Sequence, residues 1–155
     1  MAPPPDQKSV TLVSNDGHRM NFNSDYINKC VHISTMLQAL NYDVAKGHFP
    51  KEAIKVDVKK ESLEVIREWL RLHESEEPKT DRERALDRFC RKIPEEDTAL
   101  FDKLEPRDRL ADVINSASYL DMPDMLDSLQ KYTANSLEKK GPREIAAWLD
   151  VKYME

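Results

Sequence analysis

Short segments that alternate apolar and polar residues sit early in the chain, and amphipathic helical segments fill most of the rest. Together they predict an α+β fold in which a small three-stranded sheet is flanked by helices. A third observation sets the order. The pattern reads strand, strand, helix, helix, strand, helix, then helices to the end.

The first two strands lie in SVTLVSNDGHRMNFN, residues 9–23. Val10 and Leu12 alternate with polar residues, as do Met20 and Phe22, and Asn15-Asp16-Gly17 supplies the turn between them. Ser24 or Asp25 is placed to cap a short helix carrying Tyr26 and Ile27. A second helix is expected over His32 to Tyr42, with Ile33, Met36, Leu37 and Leu40 at helical spacing. Residues 43–52 hold a Gly and a Pro and read as a loop. Ala53 to Val58 then alternates, with Ile54, Val56 and Val58 on one face, and predicts the third strand.

Residues 62–73 carry two apolar stripes, Leu63, Ile66, Leu70 and Val65, Trp69, Leu72, and predict a helix buried on more than one side. Residues 71–97 hold 16 charged residues among 27, 7 positive and 9 negative. Signs that nearly cancel describe a solvated linker, helical around Arg82 to Cys90, with a boundary at Ile93-Pro94. Leu110, Val113, Ile114, Ala117 and Leu120 share one face of a helix over Arg107 to Asp121. Pro123 opens the next helix, which runs through Lys140. Gly141 reads as a helix C-terminal residue and Pro142 as the start of a last short helix. Residues 1–8, with three consecutive prolines, are expected to be a loose tail.

Composition excludes several classes of function. The net charge of −5 argues against binding nucleic acid through its phosphates. Three glycines, at 17, 47 and 141, cannot build a dinucleotide or P-loop cradle. The longest apolar run, Ile145–Leu149, is far too short to span a membrane, and the first residues lack a signal-peptide core. An intracellular protein with reduced thiols is expected. Cys30 reads as a buried structural thiol. The four histidines lack metal spacing, and His73-Glu74 begins an HExxH motif that fails at Glu77. Glu76-Glu77 and Glu95-Glu96-Asp97 read as solvated carboxylates rather than acid/base pairs. Neither a catalytic residue, a metal nor a cofactor is expected.

The last third is instead rich in anchor-type side chains: Met125, Leu129, Tyr132, Leu137, Ile145, Trp148, Leu149 and Tyr153. Two readings are open. These residues close the core, or they form a groove for a partner's helices.

Five strings resemble, in order, segments of the S-phase-kinase-associated (SKP) branch of the BTB/POZ fold. VTLVSNDGHRMNF is similar to the opening hairpin with its Ser-x-Asp-Gly turn, also seen in elongin C. HISTMLQAL resembles the helix T-I-x-T-M-L-x-x-L, and IPEEDTALFDKLEP resembles the stretch before the central helix. LADVINSASYLDMPDMLD is similar to L-x-x-x-I-x-A-A-N-Y-L-D-I-x-x-L-L-D, and TANSLEKKGPREIAAWLDVK to the segment ending N-I-K.

The resemblance spans residues 9 to about 153. It implies a BTB/POZ-like unit over 9–121, including the charged linker, followed by SKP-type helices over 122–155. It further implies a non-catalytic adaptor of an SCF-type (SKP–cullin–F-box) ubiquitin ligase, cytoplasmic and nuclear. The cullin's N-terminal domain would meet Leu100, Phe101, Leu104, Ser118 and Tyr119. An F-box would meet Met125, Leu126, Leu129, Tyr132, Leu137, Ile145, Trp148 and Leu149. Ser118 stands where the family has Asn, and the family's last helix has no counterpart after Lys152. Self-association into a homodimeric scaffold is the alternative. Nucleic acid and membrane are not expected partners.

Overall fold

The computed structural model describes residues 9–105 and 107–152. The expected N-terminal tail and Tyr153 lie outside the described residues. Among the described residues the chain is α+β: a three-stranded mixed sheet near the N-terminus and eight α-helices.

Strand β1 (Ser9–Val13) lies between β2 (Arg19–Asn23) and β3 (Ile54–Lys55). It is antiparallel to β2, with Val10 opposite Phe22 and Leu12 opposite Met20, so the four residues fill one buried face. The turn works as its sequence predicts. Gly17 takes φ +89°, and Ser14 Oγ bonds Asp16 at 2.5 Å. The same Asp16 carboxylate accepts the Lys60 amide at 3.0 Å, which ties the turn to the first residue of a helix.

Strand β3 pairs parallel to β1 over two residues only, Leu12 with Ile54 and Val13 with Lys55. The sequence predicts a longer strand because Val56 and Val58 keep the alternation. Both are buried, yet the chain has left the ladder except for single bonds, such as Asn15 N to Val58 O at 2.9 Å. The alternation therefore records burial rather than pairing.

Helix α1 (Ser24–Lys29) is capped one residue earlier than predicted, by the Asn23 side chain on the Tyr26 amide at 2.9 Å. Helix α2 (Val31–Ala39) ends before the predicted Tyr42 because Asn41 turns left-handed at φ 65°. That leaves Leu40 off the core and 58% exposed. Helix α3 (Lys60–Leu72) buries Leu63, Ile66, Trp69 and Leu70, as two stripes require.

Helix α4 (Asp81–Asp87) starts at a capping box of Thr80 and Glu83 and buries none of its residues. Helix α5 (Glu95–Asp102) follows Pro94, with three acids in its first turn. Helix α6 (Arg107–Tyr119) ends at the left-handed Asp121, and Pro123 starts α7 (Pro123–Leu137). Helix α8 is Pro142–Trp148. Here two expectations are corrected: α7 stops at Leu137 rather than running through Lys140, and the role of Gly141 differs. Gly141 is the extended N-cap of α8, and the left-handed residue after α7 is Lys139 at φ 64°.

Buried side chains from β1 to α7 form one continuous core. A backbone junction within it sets the geometry of the first candidate surface. The amides of Val31 and His32, at the start of α2, donate to the carbonyls of Asp121 (3.1 Å) and Leu120 (3.0 Å), just past the end of α6. No side chain caps α2. The orphan donors of one helix are thus met by carbonyls following the other, and the opposed dipole ends attract.

Candidate functional site

The α2–α6 junction brings the His32 ring to 5.2 Å from the Tyr119 ring. Tyr119 ends α6 with 40% of its surface exposed, while its neighbours Ala117 and Leu120 are buried. Tyr119 lines two depressions shared with Asn15 and Asp57, one of them lined also by Asn115 and Ser116. Ser118 is exposed as well. An aromatic ring is therefore presented beside polar groups, at the end of a helix held firmly by backbone bonds.

Leu100, Phe101 and Leu104 are all buried. Phe101 lies inside the core, its ring 5.4 Å from that of Tyr132 in an edge-on contact. Leu100 and Leu104 instead help line an open cleft between α3 and α6, together with Val65 and Val113. Ion pairs cross its rim: Arg109 with Glu61 at 2.9 Å and Lys59 with Asp112 at 3.4 Å. A partner reaches the two leucines only through this cleft, and Phe101 only by displacing core.

The C-terminal set also divides. Met125, Leu129 and Tyr132 are buried against the domain. Leu126, Leu137, Ile145, Trp148 and Leu149 are half-buried. Trp148 is held from within the chain. The Arg107 guanidinium lies 4.2 Å from the centre of its ring, and the Tyr132 ring is 6.1 Å away. The Tyr132 hydroxyl donates to Asp102 at 2.6 Å, and the Arg107 amide donates to Asp150 at 3.0 Å. Burial and the bond to Asp102 both push the Tyr132 phenol above its usual value, so it stays a donor. The segment thus divides: three of these residues close the core, and five border solvent.

Sequence reasoning missed a buried polar cluster. His73 ends α3 with Nε2 2.6 Å from Asp97 and Nδ1 2.5 Å from Glu76. Asp97 also accepts the Trp69 indole N–H at 3.0 Å and the Ser128 hydroxyl at 2.7 Å. The Lys29 ammonium donates to the His73 carbonyl. Asp97 was expected in a solvated acidic run; it is almost wholly buried instead. Burial alone would raise its pKa, but the bonds from His73, Ser128 and Trp69 hold it below the ordinary carboxylate value. Burial likewise pulls His73 down, and its two carboxylate partners more than reverse that, leaving it above the ordinary histidine value. Ser128 donates to Asp97 rather than to His73, so the trio is not a nucleophile–base–orienter relay. It ties α3, α5 and α7 together.

The Cys30 thiol is buried, and burial pushes its pKa up to about 12, which makes it unreactive. Among the described residues no group of three His, Cys, Asp or Glu is placed to hold a metal ion. No helix among them is long and apolar enough to cross a membrane. No protein-family model matches the chain, and comparison with curated proteins gives no match either.

Proposed function

We propose that this chain is a non-catalytic adaptor with a BTB/POZ-like N-terminal unit and SKP-type C-terminal helices. It bridges a cullin scaffold to F-box substrate receptors in an SCF-type ubiquitin ligase of the cytoplasm and nucleus. One observation carries the reading. Two of the residues assigned to the partners, Tyr119 and Trp148, border solvent and fall at opposite ends of α6. Tyr119 closes the helix at one end, and Trp148 packs on Arg107 at the other. Twelve residues of helix separate these ends by about 18 Å. A bridging protein needs this arrangement, because two partners can then bind without touching the same side chains. Tyr119 and Ser118 form the cullin side, and the cleft above Leu100 and Leu104 extends it toward the Arg107 end of α6, where Arg107 bonds the Leu104 carbonyl at 3.3 Å. The half-buried Leu126, Leu137, Ile145, Trp148 and Leu149 form the F-box side, resting on Met125, Leu129 and Tyr132 beneath.

The test is co-expression with a cullin N-terminal domain and one F-box domain, followed by purification. A stable ternary complex is expected. Retention of the F-box alone would mean that Ser118, in place of the family's Asn, has cost the scaffold link. Retention of neither, with a homo-oligomer by light scattering, would replace the adaptor by a self-associating scaffold.

A further inference from the structure

His73 holds one carboxylate on each ring nitrogen, Asp97 at 2.6 Å and Glu76 at 2.5 Å. An imidazolium has two N–H donors and satisfies both. A neutral imidazole has one donor and one lone pair, so one carboxylate must then face a lone pair. Burial decides which one leaves. The Asp97 side chain is 1% exposed and is also held by Trp69 and Ser128. The Glu76 side chain is 57% exposed and can be resolvated at once. The single N–H therefore stays on Asp97, and Glu76 is repelled from Nδ1.

The other charged groups around the ring are already engaged or point elsewhere. Lys29 of α1 bonds the His73 backbone carbonyl, not its ring, and its charge also attracts Glu76, so the His73 proton adds to a pull that is already present. On α7, Asp127 pairs with Lys131 at 2.8 Å and Asp124 with Arg84 at 2.9 Å. Lys79 pairs with Asp87 at 3.3 Å. Glu77 and Lys92 line the same pocket as His73 and hold no bond to its ring. The segment that Glu76 would free is also tied by the Glu76 amide to the His73 carbonyl at 3.0 Å and by Asn23 to the Glu74 carboxylate at 3.3 Å, bonds that opening must break as well. It begins at the C-terminal end of α3, and the Lys79 amide donates to Asp124 at 2.9 Å. Between them Glu76 lines one side of a small open pocket whose lining includes Trp69, His73 and Asp97.

We propose that protonation of His73 latches residues 74–78: the segment is closed over this pocket while the imidazolium holds Glu76, and it opens to solvent when the ring loses its proton. The latch is independent of the adaptor reading, because none of its residues lies on either proposed partner surface. It makes the connection leading to α4 sensitive to pH on the alkaline side of the ordinary histidine range.

The test is NMR of the full chain, following the His73 ring C–H and the amides of Glu74, Ser75, Glu76 and Glu77 across a pH titration. The His73 resonance is expected to titrate above 6.5, the ordinary value, and the four amides to shift with the same midpoint. His73→Gln assigns the resonance and should abolish the amide response. Glu76→Gln removes a partner at an exposed position and leaves the His73–Asp97 bond. In that variant the His73 midpoint should fall and the amide response should vanish. Amides that stay silent while His73 titrates would overturn the proposal. So would an amide response that survives in Glu76→Gln.

Discussion

Replacing Asp97 by alanine should cost more stability than any other change of a surface-type residue in this chain. The carboxylate is 1% exposed and accepts three hydrogen bonds, from His73, Trp69 and Ser128. Removing it leaves the Trp69 indole N–H and the Ser128 hydroxyl without their acceptor, and leaves His73 with only the exposed Glu76 as a carboxylate partner. Breaking a buried ion pair by deleting one partner costs about 3–5 kcal/mol, because the remaining charge is uncompensated. In a chain of this size that lowers the Tm by at least about 6 °C. Asp97→Asn keeps the shape and one acceptor but turns an NH₂ toward a donor, and should cost about 1–3 kcal/mol. Urea denaturation reads both, with an unchanged slope showing that only the native state is affected.

The pH dependence has a definite sign. Asp97 has a lowered folded pKa, so its contribution is present above the ordinary value of 3.8 and is lost as pH falls through the lower folded value. His73 has a raised folded pKa, so its contribution is full below 6.5 and is lost as pH rises through the higher folded value. The gap between wild type and Asp97→Ala should therefore be widest between those two limits. A cost below about 1 kcal/mol, the size expected for an exposed control such as Glu95→Ala, would refute the reasoning.

Three further outcomes are expected. Tyr119→Ala should weaken binding of a cullin N-terminal domain in calorimetry while leaving F-box capture and Tm unchanged, since the ring is 40% exposed; equal loss of both partners would mean misfolding. Trp148→Ala should weaken F-box capture by about 1–3 kcal/mol, the range of an aromatic anchor; an unchanged affinity would leave Trp148 only its intrachain role against Arg107. Leu129→Ala, at a fully buried position, should destabilise the chain by about 2–5 kcal/mol in the same urea assay, and a loss under about 1 kcal/mol would show that α7 is not part of the core.

The sheet and most helices were legible because their signals are local. Val10, Leu12, Met20 and Phe22 alternate within a few residues of their turn, and Pro123 and Pro142 fix φ where a helix starts. What was not legible depended on partners far along the chain. β3 looked six residues long because Val56 and Val58 are buried, but a parallel strand pairs only as far as its neighbour allows. Gly141 looked like a helix end by residue type, yet Lys139 took the left-handed position instead. Glycine's advantage there is an energy preference, not a requirement.

The candidate surfaces show the same division. Periodicity marks which residues of α7 are apolar, but it cannot separate Met125 and Leu129, which face the core, from Leu126, which borders solvent. That distinction depends on which neighbours cover the helix: α6 and α5 pack on one side of α7, and α8 is held near it through Trp148. Asp97 is the sharper case. In the sequence it is the third of three consecutive acids, and Glu95 and Glu96 are indeed exposed. One step further around α5 turns its carboxylate toward Trp69, His73 and Ser128, residues 24 to 31 positions away. No local pattern encodes that meeting. It follows from α3, α5 and α7 packing on one another, with a polar cluster where their apolar faces leave room for one. A buried carboxylate survives there because its donors come from two other elements, Trp69 and His73 from α3 and its C-cap and Ser128 from α7, so losing either element strips it of bonds. The cluster therefore favours this one packing of the three helices over apolar alternatives that would bury Asp97 alone.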